Sequence, residues 1–128
     1  MPDAFVPSAT LAKTEAEDYM RVAFATVNVL AAAFVGLDAI ARTGTSLAER
    51  NDARAKALKV MRELELANAN ITAFVSGTAS ARPPTLAEIQ TTQDLATELS
   101  TDISAQAKAT AIFNIVTKAL TVFNGLHA

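Results

Sequence analysis

The sequence predicts an all-α protein, an antiparallel bundle of three long helices. A hydroxyl residue followed by Leu-Ala occurs three times, at Thr10, Ser46 and Thr85, and each is typical of a helix start. Glycines follow the expected helix ends, and apolar residues recur at intervals of three and four. Hydrophobic residues make up 51% of the 128-residue chain and charged residues 19%, which favours a single folded domain over a disordered chain.

The first helix is predicted over residues 10–42, after an N-terminal arm at residues 1–9. Pro7 stands in this arm just before the helix start, and no helix is expected to run through it, because proline cannot continue a preceding helix. Between Val22 and Ala41 this helix is apolar almost all round, so we expect other parts of the protein to cover it on most sides.

The second helix is predicted over residues 46–76, from a capping box formed by Ser46 and Glu49 to the stop at Gly77. A heptad seam runs along it through Ala53, Ala57, Val60, Leu64, Ala67, Ile71 and Phe74. The connection to the first helix is short, so the two helices must form an antiparallel hairpin.

The third helix is predicted over residues 85–124, with Thr85 and Glu88 as a second capping box. An exposed loop at residues 77–84 is expected to precede it. Residues 100–102 read Ser-Thr-Asp and have the composition of a helix cap, so the alternative is a third helix broken near residue 100, giving four helices.

The residue inventory predicts no catalytic, cofactor or metal site. Cysteine is absent, and the only histidine is His127, beside a chain end of the kind that usually frays. No Glu-x-x-His motif, glycine-rich phosphate loop or Gly-x-Ser-x-Gly elbow is present. We therefore expect a non-enzymatic protein.

Charge and the N-terminal sequence bear on partners and location. The formal net charge is −2 and the sequence pI is about 5.3, which argues against a nucleic-acid partner. The N-terminus lacks the basic residues and apolar run of a secretory signal, so we expect a cytoplasmic protein.

The first and third helices carry more apolar surface than one seam needs, which predicts a protein–protein interaction module that associates with itself or with another protein. Asn28 and Asp38 interrupt the most apolar helix; each is expected to face solvent or bond a neighbouring helix, and the alternative is that they set the register of such an association. The predicted interface residues are Phe24, Asn28, Ala32, Phe34, Gly36, Phe113, Val116, Leu120 and Phe123.

Two alternatives involve lipid or another apolar interface. Residues 22–41 are long enough to span a bilayer, as in small pore-forming proteins, although their alanine content and Asp38 weaken that hypothesis. An amphipathic bundle that opens on a lipid surface or polymer granule is the other, and it is weakened by the scarcity of Lys and Arg.

Overall fold

A computed structural model describes residues 4–128, and within them the chain forms an all-α bundle, as predicted, with four helices instead of three. The helices are α1 (Lys13–Thr43), α2 (Leu47–Val75), α3 (Leu86–Ser104) and α4 (Ala109–Asn124). Two short strands, β1 (Val6–Pro7) and β2 (Ser80–Ala81), pair antiparallel at one end of the bundle. Of the predicted arm, residues 1–3 lie outside the described part.

α1 begins three residues later than predicted. Thr10 ends a short 3₁₀ turn (Ser8–Thr10), and its hydroxyl donates to the Pro7 carbonyl at 2.7 Å instead of capping a helix. The helix cap is Ala12, whose N–H donates to the Glu15 carboxylate at 3.0 Å. An acidic side chain therefore occupies the first turn, where it complements the helix dipole.

The starts of α2 and α3 follow their capping signals. The Ser46 and Thr85 hydroxyls each accept from the N–H three residues on, at 3.1 Å. The Glu88 carboxylate accepts from both terminal guanidinium nitrogens of Arg82 at 2.8 Å and from the Thr85 N–H at 2.9 Å, and these bonds lower the pKa of Glu88 to about 2. A cap and a charge-assisted pair thus fix the entry to α3.

The third predicted helix breaks after Ser104, later than the Ser-Thr-Asp sequence indicated, since residues 100–102 lie within α3. Among the described residues, Gln106 is the only non-glycine with a positive φ, at 57°. The Ala107 N–H donates to the Asp102 carbonyl at 2.9 Å, which closes the end of α3. The chain then reverses into α4.

α1 and α4 form the centre of the bundle. α1 packs against α2, α3 and α4, whereas α2 and α3 lie on opposite flanks and hardly touch each other. The predicted α2 seam faces inward, with Ala53 and Val60 fully buried. Each central helix consequently has one outer face, in the gap between α2 and α3.

The loop before α3 and the C-terminal residues are more ordered than the sequence indicated. Ala81, in the predicted exposed loop, is fully buried and pairs with both Val6 and His127. The Arg82 N–H donates to the Leu126 carbonyl at 2.9 Å. Backbone pairing therefore ties the arm, the loop and the end of the chain together.

Candidate interaction surface

The outer face of α1 carries a row of residues that the bundle does not cover. Phe24 is 59% exposed and Val35 is 67% exposed, and Asn28 and Ala31 between them are also exposed. We call the full row the α1 outer stripe; its members, at alternating intervals of four and three, are Glu17, Arg21, Phe24, Asn28, Ala31, Val35, Asp38 and Arg42. Such spacing keeps residues on one side of a helix.

The opposite side of α1 explains why this row stays outside. Tyr19, Val22, Leu30 and Leu37 are fully buried against the other helices. The buried Thr26 hydroxyl donates to the Val22 carbonyl at 2.8 Å, so it needs no partner from another helix. The inward side of α1 is therefore fully packed and its buried hydroxyl is hydrogen-bonded. The outer stripe is the side of α1 that no other helix covers.

Charges lie only at the two ends of the α1 outer stripe. Glu17 and Arg21 lie at its N-terminal end, and Asp38 and Arg42 at its C-terminal end. The Arg42 guanidinium lies 3.1 Å from the Asp38 carboxylate, and the Arg42 side chain is 75% exposed. The four central positions are thus uncharged and are flanked by ionic groups.

Small residues leave a depression in the surface between the α1 outer stripe and α3. Ala32 is exposed beside it, and a cavity of about 300 Å³ lies between α1 and α3. Its lining is Asn28, Val29, Ala32, Ala96, Leu99, Ser100, Ile103 and Ser104. A helix docked on the α1 outer stripe meets little steric obstruction on this side.

On the other side of the α1 outer stripe, α2 exposes two large apolar residues. Leu58 is 66% exposed and Met61 is 40% exposed. They lie four and seven residues after Arg54, whose guanidinium reaches the Ala41 carbonyl at 3.5 Å, so they occupy the face of α2 that adjoins α1. The apolar surface therefore continues from α1 onto α2.

The structure divides the nine predicted interface residues. Phe24, Asn28 and Ala32 are exposed on α1, whereas Phe34, Phe113 and Leu120 are half-buried. Gly36, Val116 and Phe123 are buried in the bundle, where no partner reaches them without opening it.

Val35, Leu58 and Met61 belong to the exposed apolar surface but were missed by the sequence prediction. A signal for Val35 was present, since it lies seven residues after Asn28 and eleven after Phe24 on the same helical face.

The outer face of α4 is polar, in contrast to that of α1. Asn114, Thr117, Lys118 and Thr121 are exposed there. The Thr117 and Thr121 hydroxyls donate to the backbone carbonyls four residues earlier, at 3.1 and 2.9 Å. The half-buried Phe113 ring beside this face has the ammonium groups of two α2 lysines 5.9 Å from its centroid. The exposed residues of this face are thus polar, and its two threonine hydroxyls bond within α4.

A cluster of aromatic and titratable groups lies away from the α1 outer stripe, at the end of the bundle where the termini meet. The Tyr19 hydroxyl hydrogen-bonds the imidazole Nε2 of His127, and the Tyr19 ring stacks on Phe74 with centroids 3.6 Å apart. Burial raises the pKa of Tyr19 and lowers the pKa of His127. The His127 ring also packs edge-on against Phe123, with ring centroids 4.7 Å apart, so the histidine contacts the bundle.

Two further features of the described residues bear on metal ions and membranes. Within residues 4–128, no group of three or more His, Asp or Glu side chains is arranged to hold a metal ion. α1 is the one helix of this part long and apolar enough to cross a membrane, and a third of its most apolar window is buried in the bundle. The core helix of a soluble protein meets the same criteria.

Comparisons with protein-family models, with curated proteins and with solved structures found no match for this chain.

Proposed function

We propose that this protein is a non-catalytic, cytoplasmic helical interaction module that associates with itself through the α1 outer stripe and needs no cofactor. The observation that carries the proposal is the exposure of Phe24 and Val35 on a helix whose other sides are packed. Water in contact with such a row is released when a second apolar surface covers it.

The composition of the α1 outer stripe suits a protein partner. An aromatic side chain and a β-branched one stand at its centre, small alanines beside them allow close approach of a second backbone, and charges border the row. An apolar centre with a polar rim is the usual anatomy of a protein–protein interface. The fixed spacing of four and three residues matches a helix as the opposing surface.

The test compares two glutamate variants at positions of similar exposure. Phe24→Glu places a charge in the α1 outer stripe. Leu66→Glu is the control, because Leu66 is 54% exposed on α2 and lies seven, four and three residues after Lys59, Arg62 and Glu63, which face α4. Sedimentation velocity and equilibrium measure the association of each variant.

We expect the unmodified protein and Leu66→Glu to sediment as the same oligomer. Phe24→Glu should weaken association at least about tenfold, because the interface would have to desolvate an unpaired carboxylate. Circular dichroism should show equal helicity in all three proteins. A monomeric unmodified protein at 100 µM, or equal loss of association in both variants, would contradict the proposal.

Membrane insertion of α1 is the second candidate function, favoured by the length and hydropathy of α1. Insertion requires α1 to leave α2, α3 and α4 and to expose the side chains it now buries. Flotation with neutral and with anionic phospholipid vesicles separates the two candidates. Recovery of the protein with the vesicles, in the absence of self-association in solution, would favour insertion.

A further inference from the structure

We propose that the α1 outer stripe is occupied by the α1 outer stripe of a second copy, running antiparallel, with the twofold axis level with the midpoint between Val29 and Leu30. This inference rests on the proposed function and adds the identity of the partner and the register. It follows from the order of residue types along the stripe, which becomes complementary to itself when it is reversed about that midpoint.

The charged ends of the α1 outer stripe match in this arrangement. Glu17 lies as far before the midpoint as Arg42 lies after it, so each faces the other on the partner copy. In the same way, Arg21 faces the partner's Asp38. Four pairs of opposite charge therefore border the dimer, two at each end. No two like charges face each other across the interface.

The uncharged centre also matches. Phe24 faces the partner's Val35, a large ring against a β-branched side chain, and Asn28 faces the partner's Ala31. These pairs are the layers of an antiparallel heptad seam, in which the a position of one helix packs beside the d position of the other. The two Asn28 amides lie one helical turn apart across the axis, within reach of each other.

The flanking surface of α2 extends the contact. The Tyr19 ring stacks on Phe74, and Arg54 reaches the Ala41 carbonyl, so the hairpin register sets Leu58 level with residues 35–37 of α1 and Met61 level with residues 32–34. Met61 is thus within about 7 Å of the level of the twofold axis, and Leu58 lies beside the layer that joins Phe24 to Val35. There they add apolar area beside the central layers, where interface residues contribute most.

A parallel pairing of the same stripes lacks this complementarity. In a parallel, in-register dimer each residue meets its own copy, so Glu17 opposes Glu17, and Arg21 and Arg42 oppose themselves. Like charges in opposition weaken an interface. The charge order along α1 therefore selects the antiparallel orientation.

Thiol cross-linking tests the orientation, because the chain contains no cysteine and single cysteines are easily placed. Phe24→Cys and Val35→Cys lie at exposed positions, so neither variant disturbs the core. In the proposed dimer, the thiol of Phe24→Cys in one copy adjoins the thiol of Val35→Cys in the other. Two thiols that are both at position 24 are separated by roughly 16 Å along the helix axis, because positions 24 and 35 are eleven residues apart.

The experiment treats each variant alone, and an equimolar mixture of the two, with a bismaleimide that spans about 8 Å, less than the axial rise of eleven helical residues. We expect a cross-linked heterodimer in the mixture and at least tenfold less cross-linked product with either variant alone. Sedimentation of both variants establishes beforehand that each still associates.

The outcomes separate the register from the function. Cross-linking of Phe24→Cys to itself would overturn the antiparallel register and leave self-association in place. A dimer with no cross-link in any sample would place the interface on another face and overturn this proposal. A monomer at 100 µM would overturn both proposals together.

Discussion

The two central helices of the bundle differ most on their outer faces. α1 exposes Phe24, Ala31 and Val35 to solvent, while α4 exposes Thr117 and Thr121, whose hydroxyls bond to their own helix. Both helices pack against the same neighbours, and both contribute fully buried side chains to the core. The bundle therefore does not require an apolar outer face on a central helix, since α4 occupies such a position without one.

Two phenylalanines, one on each central helix, show this difference between the helices. Phe123 is 0% exposed on α4, and Phe24 is 59% exposed on α1. Burial within the chain accounts for the position of Phe123, and the proposed self-association would account for the exposure of Phe24. Substitutions at the two positions should therefore separate folding from association.

The largest expected effect comes from the buried member of this pair. Phe123→Ala should lower the free energy of unfolding by about 3 to 5 kcal/mol, because it leaves a cavity beside Tyr19 and His127. Urea denaturation at a protein concentration well below that needed for association measures this value for the isolated bundle.

Phe24→Ala is the matched variant on the outer face. Under the same dilute conditions it should change the free energy of unfolding by no more than about 0.5 kcal/mol, as is usual for exposed positions. It should weaken association instead. Equal destabilisation by the two variants would show that Phe24 is part of the fold, and the comparison of the two faces would fail.

A second prediction concerns Gly36, which faces α3 and α4. A Cβ built there lies 3.3 Å from Ile103 and 3.4 Å from Ile112, so Gly36→Leu should destabilise the bundle by about 1 to 3 kcal/mol through overpacking. Ala55→Leu, at an exposed position of α2, is the control and should be close to neutral. Thermal denaturation of both checks this, and a neutral Gly36→Leu would mean that α3 moves aside without strain.

Much of the fold was predictable because its signals are local. Ser46, Thr85 and Glu88 identify two helix starts, and the seam of α2 identifies its buried side. The break after Ser104 was misplaced because it depends on Gln106 adopting a positive φ, which has no strong sequence signal in a residue other than glycine or asparagine. The β1–β2 pair was missed because two-residue strands are set by tertiary contacts and not by periodicity.

The candidate surface was predictable only in part, for a different reason. Val22 to Ala41 is apolar almost all round, so the sequence shows that the helix needs cover but does not show which side the chain itself covers. The same apolar pattern predicts Val116, Phe123 and Phe24 at the interface. Only the positions of α2 and α3 on the flanks of α1 and α4 decide which apolar residues stay outside.

His127 belongs to the aromatic cluster at the end of the bundle and not to the outer faces. Burial lowers its pKa in the folded protein below the ordinary 6.5, so the unfolded chain binds the proton more readily. The stabilising effect of neutral His127 is complete above pH 6.5 and is lost as the pH falls below it. The slope of the unfolding free energy is at most about 1.4 kcal/mol per pH unit, because one proton is involved.

Urea denaturation between about pH 5.5 and 7.5, the range in which histidine titrates, measures this slope. His127→Gln should remove it, because the chain has no other histidine. Self-association measured across the same range should stay constant, because the α1 outer stripe contains no histidine. A slope that persists in His127→Gln would assign the pH dependence to another group.

The smallest expected effect is the response of association to salt, and its sign separates the two orientations of α1. In the antiparallel dimer, Glu17 and Arg21 face the partner's Arg42 and Asp38 across an exposed rim, where each pair contributes at most about 1 kcal/mol. Raising sodium chloride from about 0.05 to 0.5 M shortens the Debye length from about 14 to 4 Å and should weaken the dimer by a few-fold. A parallel dimer opposes like charges, so the same salt would strengthen it. Sedimentation equilibrium at the two salt concentrations gives the change in the dissociation constant. An increase indicates the antiparallel orientation, and a decrease indicates the parallel one.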